Sequence, residues 1–309
     1  MPASPVPPPG GTATLARHTV ARIGFGTMQL PGPGVLGPPR DRDVALAVLR
    51  RAVELGVNHI DTAQFYGPDV SNELIHDALH PYADDLVLVS KVGAVRDEAG
   101  GWHPAHRPED LRAGVEENLA SLGVEQVHVV NLRLHGDDPH GASEGPGAEF
   151  DDQVAEMVAL REEGKIGSIG LSTVGTEHLH RALPAGIACV QNAYSLLERS
   201  DEPLLGLCRE QGVAWVPYFP LGSAFPGMAK VTEDTAVVET AERLGATPAQ
   251  VGLAWLLAHE EGLLLIPGTS SLAHLEENVA AGSLELDGEA MERLDALGAP
   301  LHQGRRDRR

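Results

Sequence analysis

The chain has 309 residues, 42% of them hydrophobic and 4% aromatic, and a formal net charge of −21 with a pI near 5.0. So much negative charge argues against nucleic acid or an anionic membrane as partner, since both demand basic surface. Cys189 and Cys208 make no disulfide framework, no apolar run nears the roughly 20 residues of a membrane span, and the Pro-rich start lacks a signal peptide's apolar stretch, so the expected location is the reducing cytoplasm.

Residues 1–11 are Pro, Gly and small polar types and are expected to be mobile, like the basic end at 303–309. Residues 12–27 alternate weakly around turn residues, which fits a hairpin merging into a first strand at 22–27. A Gly- and Pro-rich loop follows. Apolar spacing then predicts helix 43–55, strand 57–61, helix 71–79 and strand 86–91. A loop containing Trp102 leads to a helix from about 107, with Pro108 in its first turn. Strand 127–134, a Gly/Asp-rich loop, helix 151–163 and strand 166–172 come next. Helix 176–182, strand 188–192, helix 204–211 and strand 214–218 keep the beat. A loop through Phe225 precedes helices 235–244 and 248–260, strand 263–267, helix 272–280 and a last helix, 288–297.

Strand and helix thus alternate about eight times, the count of a closed parallel (β/α)8 TIM barrel, here with an N-terminal β-hairpin and extra C-terminal helices. The expected organisation is a single barrel domain over residues 1–309. An open doubly wound sheet ranks lower, because GFG at Gly24 runs into a Pro-rich loop instead of a helix.

In a barrel the chemistry sits at the carboxyl ends of the strands. Asp61 and Lys91 end two successive predicted strands, and Tyr66 lies on the loop leaving the first. A carboxylate, a phenol and an ammonium together suit proton transfer: the ammonium favours phenolate, so the Tyr pKa is expected to fall, and the carboxylate holds the ammonium in place. Any one of these residues alone would read as a rim charge or a packing ring.

GFGTMQL, GVNHIDTAQFYG, SNELI, VLVSKVG, SLGVEQVHVVNL, GKIGSIGLST, VQNAYSLLER, VPYFPLG and IPGTSS with HLEENVA stand in an order and spacing that resemble the aldo-keto reductase family over nearly the whole chain. The resemblance implies a metal-free barrel that binds a nicotinamide cofactor in extended form and reduces an aldehyde or ketone to an alcohol. It places Asp61, Tyr66 and Lys91 among the family's catalytic residues. Where the family usually carries a fourth-strand His, this chain has Arg133, in the Asn-Leu-Arg variant. Alternation puts Val129, Asn131, Arg133 and His135 on the inward face. Arg133 can stabilise negative charge on the substrate oxygen but cannot transfer protons. His135 either shares the missing role or is a rim residue.

The resemblance also implies the cofactor contacts: Gly26, Thr27, Met28 and Asp61 at the first strands, Ser172, Gln191 and Asn192 at the carboxamide, Thr173 next to Ser172, and Tyr218 stacked on the ring. Phe219 is a further cofactor contact, and Pro220, Leu221, Gly222 and Ser223 would follow the pyrophosphate. Gly268, Thr269, Ser270 and Ser271 would meet a phosphate at a helix start, where free amides suit an anion. Glu277 and Asn278 would hold adenine. NADPH is expected, with NADH the alternative, because the sequence offers only Ser271 and His274 where many relatives have a basic residue. His76 and His80 have metal-compatible spacing without a third ligand, so an exposed helix face is expected and no metal. The expected partner is a small-molecule carbonyl substrate, with a cofactor-binding sensor or partner subunit as the alternative role. The oligomeric state cannot be read from the sequence.

Overall fold

The structure is a computed structural model that describes residues 6–134, 149–222 and 229–298. In chain order it begins with a hairpin of β1 (Thr12–Leu15) and β2 (His18–Ala21), then β3 (Phe25–Gly26), α1 (Arg42–Glu54), β4 (His59–Asp61), α2 (Val70–Leu79) and β5 (Val87–Val92). β6 (Ala94–Arg96), β7 (Trp102–Pro104), α3 (Pro108–Leu122), β8 (Val127–Arg133), α4 (Phe150–Glu162) and β9 (Ile166–Ser172) follow. Then come α5 (Thr176–Ala182), β10 (Ile187–Gln191), α6 (Glu202–Gln211), β11 (Ala214–Trp215), α7 (Thr235–Leu244), α8 (Pro248–His259), α9 (Leu272–Ala280) and α10 (Gly288–Asp295).

The sheet runs β3-β4-β5-β8-β9-β10-β11, with every neighbouring pair parallel. Residues 263–266 close it. Leu263 bridges Trp215 and Leu265 bridges Ile23, both parallel. The Leu264 and Leu265 amides donate to the Trp215 and Arg22 carbonyls at 2.9 and 2.8 Å. The fold is therefore a (β/α)8 barrel. β5, VLVSKV, is buried at all six positions, as a strand covered on both faces requires.

Alternation along the strands sorts the apolar residues into two layers. Ile60, Leu88, Val130, Leu132 and Leu134 pack outward against the helices. Val87, Val89, Val129, Cys189, Val216 and Leu264 pack inside the barrel together with Leu15 and Val20 of the hairpin. The hairpin thus plugs the amino-terminal end and leaves the carboxyl end open.

Two expectations are corrected. The N-terminal stretch is tied down from Pro8 on: the Gly11 amide donates to the Pro8 carbonyl, and the Pro9 and Gly11 carbonyls accept from Ile23 and Arg22 at 3.1 and 2.9 Å. The Arg22 and Ile23 amides offer donors, and a proline-rich segment can answer with carbonyls alone. The Trp102 loop is an antiparallel hairpin, with Ala94 opposite Pro104 and Arg96 opposite Trp102. Arg96 secures it, donating to the carbonyls of Gly34, Val35 and Gly100 at 2.8–3.1 Å.

Candidate active site

A cleft of about 420 Å³ opens at the carboxyl ends of the strands. β4 ends at Asp61 and pairs it with Val89, so Lys91 stands two residues further along β5. The lysine side chain turns back and donates to Asp61 Oδ1 and to the Thr62 carbonyl, the latter at 3.0 Å. Gln191 at the end of β10 donates to the other carboxylate oxygen at 2.6 Å. The ion pair is almost fully buried. Removing one partner from such a pair costs roughly 3–5 kcal/mol, because the other charge is left without solvent.

Tyr66 lies beside this pair. The Lys91 ammonium is 5.1 Å from the centre of its ring. Burial pushes the Tyr66 phenol above its ordinary 10.0, and Lys91 and Arg133 offset only part of that. The expected fall in the phenol pKa is thus reversed in the protein, because desolvation of a phenolate outweighs one nearby ammonium. Burial opposes charge on Lys91, but Asp61 and Tyr66 overcome it and hold the ammonium above its ordinary 10.5. Both groups keep their protons at neutral pH.

Arg133 ends β8 and lines the same cleft. Its guanidinium carbon sits 5.9 Å from the centre of the Trp102 ring. Burial lowers its pKa, while Tyr218 and Tyr66 oppose that fall, and an arginine stays charged regardless. Phe65 and Trp102, edge to face at 5.5 Å, form an apolar wall. Met28, Gln29 and Ile266 also line the cleft. Gln29 was missed by sequence reasoning, since a lone polar residue before a Pro-rich loop carries no pattern.

Ser172, Tyr218, Phe219, Pro220, Leu221 and Gly222 also line the cleft, and Gly26, Gly268 and Asn278 line its other reaches. Two strands approach closely there: a Cβ on Gly26 would fall 2.5 Å from the Ile266 carbonyl oxygen, and one on Gly268 would fall 2.5 Å from that of Gly26. Only glycine permits this. Thr173 and Phe219 hold positive φ of 61° and 55°, backbone strain of the kind found at functional sites.

Other predicted residues stand back from the surface of the cleft. Thr27 is buried with its hydroxyl turned to Thr62 at 3.0 Å. Gln191 is buried behind Asp61, and its Oε1 has no hydrogen-bond partner among the described residues. Thr269 accepts from the Ser271 amide, Ser271 caps α9, and the Glu277 carbonyl accepts from Gln250. Ser270 lines a neighbouring hollow of about 620 Å³ between residues 28–45 and Phe219. His135, Ser223 and Phe225 lie outside the described residues. Among the described residues no three His, Cys, Asp or Glu side chains converge on a metal position.

A parallel barrel with a buried Asp–Lys pair against a phenol at its open end is the architecture of a nicotinamide-dependent oxidoreductase of the barrel class. The family model of the aldo/keto reductase family matches residues 22–299, and the chain belongs to that family, whose members are NAD(P)H-dependent oxidoreductases. It is 46% identical to pyridoxine 4-dehydrogenase of Escherichia coli (strain K12) over 287 residues, 93% of this chain and 98% of that one. Among solved structures, a thermostable aldo-keto reductase bound to the inhibitor epalrestat matches with a TM-score of 0.75 at 30% identity, over 93% of this chain and 99% of that one. An aldo/keto reductase of Klebsiella pneumoniae in complex with NADP and acetate matches with a TM-score of 0.75 at 28% identity, over 94% and 95%.

Proposed function

We propose that the cleft reduces an aldehyde or ketone to the alcohol with NADPH, and that Tyr66 delivers the proton. The carrying observation is the buried Asp61–Lys91 pair set against a phenol that keeps its proton. The bound cofactor would supply hydride to the carbonyl carbon. Its fit is supported by Ser172, whose hydroxyl lies at the cleft, and by the close approach at Gly26 and Gly268, a cradle that a Cβ would fill. Tyr218 and the backbone of 219–222 offer a wall for an extended dinucleotide, and Asn278 offers hydrogen bonds for a base.

The chain's own groups then divide the work. Charge that develops on the carbonyl oxygen meets Arg133, a fixed donor in a water-poor site. Tyr66 donates its proton to that oxygen. The phenolate left behind is stabilised by Lys91, whose ammonium Asp61 and the Thr62 carbonyl hold in place. Exchange with solvent restores the proton.

The aromatic wall of Phe65 and Trp102 supports a small planar substrate. With the Escherichia coli relative, this points to the alcohol–aldehyde couple at position 4 of the pyridoxine ring as the substrate class. Loss of NADPH absorbance with pyridoxal, set against a linear aliphatic aldehyde, tests it. Tyr66→Phe is expected to abolish turnover and to leave NADPH affinity within about twofold. Undiminished turnover in that variant would refute the assignment of the donor.

A further inference from the structure

Behind the barrel wall, on the faces of β4 and β5 that point away from the cleft, lies a closed set of buried amide and hydroxyl side chains. The Thr27 amide donates to the Asp61 carbonyl at 2.9 Å. The Thr27 hydroxyl donates to Thr62 Oγ1 at 3.0 Å, and Thr62 donates to Asn72 Oδ1 at 2.8 Å. Asn72 Nδ2 donates to Asn118 Oδ1 and to Ser121 Oγ, both at 2.9 Å. Asn118 Oδ1 also accepts from Ser90 Oγ at 2.5 Å. Asn118 Nδ2 donates to the Gly114 carbonyl at 2.7 Å and to Gln64 Oε1 at 3.1 Å, with the Lys91 carbonyl 3.5 Å away.

Asn118 therefore uses both N–H groups and both lone pairs, the full capacity of a carboxamide. Its residue and those of Thr27, Asn72 and Ser90 have no solvent exposure. A buried network of this kind is stable only when complete, and then it specifies one geometry. This one begins at the backbone of Asp61 and ends at the side chain next to Lys91. Gln64, its branch, lies on the turn between Asp61 and Tyr66. Thr62, its middle, offers the carbonyl that holds the lysine ammonium. α3 comes close enough for these contacts because its residue 114 is glycine: a Cβ there would sit 3.0 Å from Gln64 Nε2.

We propose that the Thr62–Asn72–Asn118–Ser90 relay is a positioning device that sets the spacing of Asp61, Lys91 and Tyr66 from outside the barrel. None of these four side chains touches the cleft, so they act through the three that do. The inference rests on the proton-delivery role given to Tyr66. An offset of about 1 Å in such a trio lowers turnover by about a hundredfold. Binding of the cofactor is expected to be spared, because Tyr218 and Gly268 lie on other loops of the barrel and Asn278 on α9.

The test compares Asn118→Leu and Thr62→Val with the full-length parent chain. Thr62→Val removes one hydroxyl and keeps the backbone carbonyl, so it stays informative if the Leu variant fails to fold. Expected for both are a kcat for pyridoxal reduction lower by about 10- to 100-fold, a KM and an NADPH Kd within about threefold, and a displaced basic limb of the pH profile. A second readout does not need turnover. The carbon-13 shift of the Lys91 ε-carbon, followed against pH, is expected to show a titration midpoint lower than in the parent, because a displaced Asp61 favours the ammonium less. A folded Thr62→Val variant with unchanged kcat, pH profile and lysine midpoint overturns the proposal. A parent chain without carbonyl reductase activity, combined with a shifted lysine midpoint in the variants, would refute the proton-delivery reading alone and leave the positioning relay standing.

Discussion

His59 offers a measurement of the barrel interior. It points inward from β4, two residues below Asp61, and is 1% exposed. Its ring fills the space beside Gly24, where a Cβ would fall 2.2 Å from Nε2. Burial drives its pKa from 6.5 to about 4, outweighing an opposing effect of the Ala21 backbone. An unfolded His59 takes a proton below about 6.5, and the native one only below about 4. Between those values the unfolded chain binds more protons, so acid favours it. The contribution is whole above about pH 6.5 and is lost as pH falls to about 4. A gap of some 2.5 units at 1.36 kcal/mol each makes about 3 kcal/mol. The assay is urea unfolding at a series of pH values for the parent and for His59→Gln, which does not titrate. Other histidines contribute equally to both chains and cancel in the difference. The parent is expected to lose about 3 kcal/mol more than the variant between pH 7 and pH 4. A difference below about 0.5 kcal/mol, or a His59 ring resonance titrating near 6.5, would show that the barrel interior does not exclude the proton.

Arg133→Leu is expected to lower kcat by about a hundredfold at saturating NADPH, and Arg133→Lys to restore only part of it, since an ammonium lacks the planar fork. Equal kcat for all three would remove the arginine from the reaction. The pH dependence of kcat/KM for reduction should show no loss of the acid form below pH 10, because burial holds the Tyr66 proton on past that point; a basic limb centred well below 10 would contradict this. Arg199 donates to the Leu294 and Asp295 carbonyls at 3.2 and 3.4 Å and stacks on Trp255 at 4.2 Å. Arg199→Ala should weaken the docking of α10 by about 1–2 kcal/mol, seen as about tenfold faster amide exchange confined to that helix.

The barrel could be read in advance because its strands are short apolar runs and its helices carry caps and stops at regular intervals. Asp61 and Lys91 followed from those runs, as residues at strand ends. The β6–β7 hairpin did not, because AVR and WHP are three-residue strands with no alternation to detect. The phenol pKa departs from the sequence expectation because a sequence shows neighbours in charge but not the depth of burial. Asn118 leaves a trace in the helical pattern. Leu111, Gly114, Val115, Asn118 and Leu122 form the buried stripe of α3, and a carboxamide inside an apolar stripe needs partners that the sequence does not name.

The hairpin that seats Leu15 and Val20 among the inward-facing valines makes the barrel a blind-ended vessel. Reactants cannot queue from opposite ends as in a tunnel. Whatever lies deepest must arrive before, and depart after, whatever covers it, so the sealed floor imposes a sequence on traffic through the opposite end.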